Sequence, residues 1–226
     1  MGRKEVAVIE FGVAGGNGLI AMQEIGRQVS MMTGVNVNVF GFDMGTGLPS
    51  VTDPRDLPQL YCRGDYRMDF DKLRTKLSTE TRLVIGDIKQ TIDDFLLSVH
   101  APVGFISFDM DLYTSTRDSL KLFRGEFPLT HCLPRVVCYF DDIMGLTFGD
   151  LNGERLAIRE YNRDSEPQRA ISPVYGLRFQ LGWPHNRAEW PDMMFWAQFL
   201  DHADYCAFDC LAGEGQAHLG TPFKAL

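Results

Sequence analysis

The feature that most constrains this chain is a short apolar strand running straight into a cluster of glycines. Val6 to Ile9 is an unbroken apolar run, extended by Glu10 and Phe11, and it ends in E-F-G-V-A-G-G-N-G, with glycines at 12, 15, 16 and 18. Apolar residues then recur at Met22, Ile25, Val29 and Met32. Those steps of three and four fit one face of a helix. Strand, glycine turn and helix in that order bring backbone close to a nucleotide-like ligand at the C-terminal edge of a sheet. Glycine is needed there because a side chain would block the approach or forbid a positive φ.

The alternation continues. Val37–Phe42, Leu83–Ile85, Val103–Phe108 and Val136–Phe140 are further apolar runs of strand length. Between them, Ile92, Phe95, Leu96 and Val99 mark one helix stripe, and Leu120, Leu122, Phe123 and Phe127 mark another. Strands apolar on both faces, alternating with helices, predict an α/β fold with a mostly parallel sheet covered on both sides. After Asp150 the rhythm changes. Asn152–Asn162 is expected to be helical, Ser172–Leu181 a strand begun by Pro173, and Trp183–Pro191 a loop. Met193–Leu200 and Tyr205–Leu211 are apolar stretches of no clear type, and the latter is expected to close the sheet. A chain of 226 residues is of single-domain size. The expectation is one domain over 1–226, with 1–150 as a cofactor-binding core and 151–226 as a sheet-closing tail with acceptor, lid or oligomer contacts.

Charge and composition exclude several classes. Thirty acidic against 22 basic residues give a net charge of −8, and the longest unbroken basic run is a pair such as Arg3-Lys4. That argues against nucleic acid, which needs a basic stripe. No apolar run approaches the roughly 20 residues of a membrane helix. No secretory signal is visible, and Val6 stands where an N-myristoylation motif wants Ser or Thr. The five cysteines (62, 132, 138, 206, 210) are scattered, and the five histidines (100, 131, 185, 202, 218) show no metal spacing. A cytoplasmic protein with free thiols is expected.

Which nucleotide is bound turns on Glu10. Gly12 directly follows the strand, leaving an acid, then Gly-x-x-Gly-Gly-x-Gly. An acid at that point repels a pyrophosphate and suits the ammonium group of an amino-acid-bearing nucleoside, which favours S-adenosylmethionine over NAD. Asp43, after the second strand in G-F-D-M-G-T-G, can accept both ribose hydroxyls. Four aspartates end two adjacent strands: Asp109 and Asp111 in F-D-M-D-L-Y, Asp141 and Asp142 in F-D-D-I. Alternate residues of an extended chain point the same way, so Asp109 and Asp111 can share a face. Four carboxylates in one crevice repel one another unless a cation is bound. An oxygen-only set selects Mg²⁺ or another hard divalent ion rather than zinc.

These stretches resemble the metal-dependent class I methyltransferases of the macrocin O-methyltransferase type, which act on sugar hydroxyls in natural-product pathways. The matching segments are E-F-G-V-A-G-G-N-G, G-F-D-M-G-T-G-L-P, the G-D at 86–87, D-M-D-L-Y-T-S-T and F-D-D, spanning Glu10 to Asp142 in order. The resemblance implies a Rossmann-like, doubly wound, seven-stranded sheet with an antiparallel last strand, suited to the tail around Tyr205–Leu211. It implies that Glu10, Gly12, Val13, Gly16 and Asp43 hold the amino acid and ribose of S-adenosylmethionine, released as S-adenosylhomocysteine. Asp87 and Ile88 would meet the adenine, and Asp109 would lie against the cofactor as well as the metal. Asp109, Asp141 and Asp142 would bind the metal, and Asp111 would be the general base. The acceptor would be a small-molecule hydroxyl on a sugar, phenol or catechol. Relatives usually carry an N-terminal helical segment over the site, whereas this chain opens on the first strand. A lid is therefore expected from Gly145–Asn152 or from Trp183–Trp190, and a homo-oligomer is expected.

Two other readings remain open at this point. An NAD(P)-dependent oxidoreductase could use the same sheet, but Tyr161 is followed by no lysine at helical spacing. A non-catalytic adenosyl-nucleoside-binding protein would bind ligand without turnover. His202, beside Asp201 and Asp204, is a second candidate base. Met193–Trp196 is expected in the core or at a subunit contact, and Arg155 and Arg159 on a solvated helix face.

Overall fold

Seven strands and seven helices follow one another within residues 3–207, and the first five strands fall on the five apolar runs that predict them. The computed structural model describes residues 3–207. Its elements are β1 (Glu5–Phe11), α1 (Asn17–Thr33), β2 (Asn36–Asp43), α2 (Phe70–Arg74), β3 (Arg82–Ile85), α3 (Ile88–Ser98) and β4 (Val103–Phe108). They continue with α4 (Tyr113–Ser119), α5 (Phe127–His131), β5 (Cys132–Phe140), α6 (Gly153–Asp164), β6 (Arg169–Pro173), α7 (Leu177–Gln180) and β7 (Met194–Phe199). The strands form one sheet in the order β3-β2-β1-β4-β5-β7-β6. The first five pair in parallel, and β7 runs antiparallel to both β5 and β6. Strand order reverses between β1 and β4, so their C-terminal ends open a crevice where ligands bind in sheets of this kind.

One face of the sheet is fully packed. Ala7, Ile9 and Phe11 of β1 have no exposed surface and join Ile106 and Phe108 of β4 and Cys138 and Phe140 of β5. Ile92 and Phe95 of α3 and Leu156 and Tyr161 of α6 cover them. Phe108 and Phe140 stack with centroids 4.4 Å apart, beneath the strand ends that carry the aspartates.

The opposite face departs from the expectation of cover on both sides. α1 seats Leu19 and Gly26 against β2: a Cβ on Gly26 would lie 3.0 Å from Val37, and one on Gly41 would lie 2.7 Å from Leu19. The stripe predicted to be buried is not. Ile25 is 59% and Met32 85% exposed. Met22, Ile25 and Val29 instead border an open apolar groove of about 750 Å³ with Val6, Val8 and Phe105. The helical period was right, but its apolar face overhangs sheet that no described helix covers.

Three local expectations are corrected. The helix after β4 is broken into α4, a 3-10 turn at Leu120–Phe123, and α5. Gly125 (φ +62°) and Pro128 in the first turn of α5 interrupt it. Ser172–Leu181 is not a strand: β6 ends at Pro173, and Gly176 (φ +79°) starts the single turn of α7. Among the described residues the antiparallel closing strand is Met194–Phe199, and the expected Tyr205–Leu211 does not begin as a strand. Tyr205 lies in the turns that follow, with the Arg135 guanidinium 4.1 Å above its ring; residues 208–211 lie outside the described residues. No helix among the described residues is long and apolar enough to cross a membrane.

Candidate active site

The glycine turn is locked to the two strand ends beside it. Gly12 donates its N–H to the Phe42 carbonyl at 2.9 Å, and Asp109 donates its own to the Phe11 carbonyl at 2.9 Å. Gly12 has φ +85°, and a Cβ there would fall 1.7 Å from the Asp109 carbonyl oxygen. Only glycine fits. Asp43 braces the turn: its Oδ2 accepts the N–H groups of Val13 (2.9 Å) and Ala14 (2.8 Å), and its Oδ1 accepts that of Gly45 (2.5 Å). A carboxylate has acceptor capacity beyond three bonds, and Asp43 still faces the crevice. Gly16 has φ +83° and packs on the Leu73 side chain, which a Cβ would strike at 2.2 Å. Val13 is buried in the same cluster as Leu19 and Leu73.

The crevice is a cavity of about 350 Å³. Gly12, Ala14 and Asp43 form one wall, Asp87 and Ile88 a second, and Asp109, Asp111, Asp141 and Asp142 a third. Asp87 also caps α3, accepting the Lys89 N–H at 2.9 Å. Glu10, Val13 and Gly16 do not line this cavity. Glu10 lies behind the turn, 4% exposed, with Oε1 where a Cβ on Gly18 would have to be and Oε2 without a partner. Burial, then the charges of Asp109 and Asp43, push its pKa up to about 8.

The four aspartates converge as the strand ends predict. Asp111 donates its N–H to Asp142 Oδ2 at 2.9 Å, and the Tyr139 hydroxyl donates to Asp141 Oδ1 at 2.6 Å. Asp111 sits at φ +58°, a left-handed conformation that is uncommon outside glycine. Strain of that kind is of order 1–3 kcal/mol and gathers at functional sites. Burial, followed by the neighbouring aspartates, raises Asp109 and Asp142 to about 7. Burial also raises Asp111, although a hydrogen bond from Tyr61 opposes the rise. Every charge acting on these three is another carboxylate. Among the described residues, no three His, Cys, Asp or Glu side chains stand as a preformed cage for an ion.

The cover over the site comes from a segment of which sequence reasoning singled out only the first residues, to Pro49. Residues 44–69, between β2 and α2, place Leu48, Pro49 and Tyr66 on the cavity wall. Asp56, 4% exposed, accepts both the N–H and the hydroxyl of Thr114 at 2.8 Å. Arg55 lies 4.2 Å over the Tyr113 ring and donates to its hydroxyl at 2.9 Å, while that hydroxyl donates to Glu160. The L-Y-T of D-M-D-L-Y-T is therefore a clamp on this cover. Tyr61 and Tyr66 are the functional candidates missed; 44–69 has no apolar period, and only its tyrosines and its position after β2 could have drawn notice. Of the two segments expected as lid, Gly145–Asn152 contributes Phe148, packed on Leu57, Tyr61 and Leu112. Trp183–Trp190 does not line the cavity, and neither does His202, whose Nδ1 accepts the Asp204 N–H beyond the far end of β7.

No protein-family model matches the chain, and no curated protein matches it significantly. Solved structures do. CalS11, a calicheamicin methyltransferase, matches with a TM-score of 0.56 at 19% identity, over 86% of this chain and 72% of that one. The O-methyltransferase NovP matches with a TM-score of 0.53 at 21% identity, over 70% of this chain and 63% of that one. With its 3-2-1-4-5-7-6 sheet and reversed seventh strand, the chain has the fold these two methyltransferases share.

Proposed function

We propose that this chain is an S-adenosylmethionine-dependent, divalent-cation-dependent O-methyltransferase acting on a hydroxyl of a small molecule, a sugar or another natural product. The observation that carries this reading is the convergence of Asp109, Asp111, Asp141 and Asp142 on one cavity with the glycine turn and Asp43. The names of the two structural neighbours, a calicheamicin methyltransferase and an O-methyltransferase, support it.

In this reading Asp43 takes the ribose hydroxyls, Asp87 and Ile88 flank the adenine, and Gly12 lets the amino-acid portion lie against backbone. Asp109 serves both the cofactor and the metal. Glu10 lies behind the turn rather than on the cavity wall; its unpartnered Oε2 would be the acceptor for the ammonium group of the sulfonium nucleoside if the side chain turns toward the cavity, and an acid there suits that group better than a pyrophosphate. Asp109, Asp141 and Asp142 would hold the cation. Their all-oxygen donor set, with no basic side chain acting on Asp109 or Asp142, fits a hard divalent ion. When bound, the nucleoside supplies an activated methyl group, and the cation supplies the Lewis acidity that eases ionisation of an acceptor hydroxyl. Asp111 takes the acceptor proton. Its raised pKa makes it a better base near neutrality. Tyr61 orients that carboxylate, and the 44–69 cover holds the acceptor against it.

The single domain over 1–226 and a homo-oligomeric state belong to the same proposal; sedimentation measures the latter. The central test is Asp111→Asn. Turnover is expected to fall by about 10²–10⁴-fold, with S-adenosylhomocysteine affinity unchanged. Undiminished turnover would remove Asp111 as the base.

A further inference from the structure

Beneath the four aspartates lies a fifth carboxylate, Glu154, in the first turn of α6. It has no exposed surface. Its Oε2 accepts the Asp142 N–H at 3.1 Å, while Oε1 has no partner at all. The charges acting on it are those of Asp142, Asp109 and Asp141, so no basic side chain neutralises it. Neither protonation state resolves the orphan oxygen. An ionised Oε1 has no donor to accept from, and a protonated one has no acceptor to donate to. Buried polar atoms left in this condition call for a ligand, an ion or its water. A glutamine would keep the acceptor for the Asp142 amide without the charge, so a purely structural role gives no reason for a carboxylate here.

We propose that Glu154 is a positioning residue of the cation site: it holds the Asp141–Asp142 turn through the Asp142 amide, and its unpartnered Oε1 is left for the cation or for water bound to it. This rests on the cation-dependent reading above and extends it to a residue behind the cavity wall. Groups that orient metal-ligating side chains from behind typically change metal affinity by about 10–100-fold when replaced.

The test compares the wild type with Glu154→Gln by Mn²⁺ titration, following free Mn²⁺ by electron paramagnetic resonance, and by thermal unfolding in chelator and in saturating Mg²⁺. The expected result is Mn²⁺ affinity about 10–100-fold weaker in the variant. The Mg²⁺-induced rise in Tm should also be smaller in the variant than in the wild type. Equal Mn²⁺ affinity in a natively folded Glu154→Gln overturns the proposal. Should Glu154→Gln not fold, Glu154→Asp takes its place: it keeps the charge but shortens the reach to the Asp142 amide, and undiminished affinity again overturns the role. A wild type that binds S-adenosylhomocysteine but no Mn²⁺ overturns the cation part of the function itself and the role of Glu154 with it, while leaving the methyl-transfer reading standing.

Discussion

Replacing Glu10 with glutamine leaves the shape of the side chain unchanged and removes its charge. In the folded chain Glu10 is 4% exposed, with one oxygen against Gly18 and the other unpartnered. Its pKa rises from 4.5 to about 8. The folded state thus holds a proton that the unfolded state releases between those values. Stability from this group is complete below pH 4.5 and is lost as pH climbs to 8. At about 1.4 kcal/mol per tenfold change in proton affinity, the loss is capped on the order of 5 kcal/mol. For a chain of this size each kcal/mol moves Tm by about 2–4 °C, so a difference on the order of 10 °C is at stake. The assay is thermal unfolding of wild type and Glu10→Gln by circular dichroism from pH 5 to 9, without nucleoside and in chelator. The two should melt together near pH 5 and diverge as pH rises, with the variant the more stable at pH 8. Asp109 is coupled to Glu10, so the difference reports Glu10 together with that coupling. A Tm difference that stays flat from pH 5 to 9 would refute the reasoning. In the variant, S-adenosylhomocysteine affinity should also drop about tenfold or more, as expected for loss of a charged hydrogen bond.

Gly12→Ala forces a Cβ to 1.7 Å from the Asp109 carbonyl at φ +85°; a loss of about 3 kcal/mol or more is expected in urea unfolding, together with loss of nucleoside binding. Asp56→Ala strands the half-buried Thr114 amide; about 1–3 kcal/mol of stability should be lost, with KM for the acceptor rising more than kcat falls. Tyr61→Phe removes the hydrogen bond that opposes the rise of the Asp111 pKa; the acidic limb of the pH–rate profile should move to higher pH. A profile that does not move would separate Tyr61 from the base.

The sheet and the site's polar groups were legible because each rests on a local signal. β4 runs from Val103 to Phe108 as its apolar run does, and Asp109 and Asp141 follow strand ends because the chain turns there. What sequence could not show depends on contacts made at a distance. The α1 stripe has a correct period, yet which face is buried depends on Gly26 and Leu19 docking into β2. Val174 to Leu181 carries apolar residues that look extended, but Gly176 in a left-handed conformation turns them out toward solvent. The 44–69 cover has no period of its own; its place is set by Asp56 and Arg55 reaching Thr114 and Tyr113, 58 residues away. Arg155 and Arg159 read as a solvated face of α6, while their neighbour Glu154 becomes part of the site's floor only through the turn at Gly153 (φ +53°) and the reach to Asp142.

The central claim is that one cavity holds a sulfonium nucleoside beside a divalent cation. Calorimetric titration of the purified chain with S-adenosylmethionine and with NAD, each in Mg²⁺ and in chelator, tests it most directly. The account predicts binding of S-adenosylmethionine, no binding of NAD, and heat from Mg²⁺ that disappears in Asp141→Ala. Binding of NAD alone would contradict the role given to Glu10 and leave the four converging aspartates without a function.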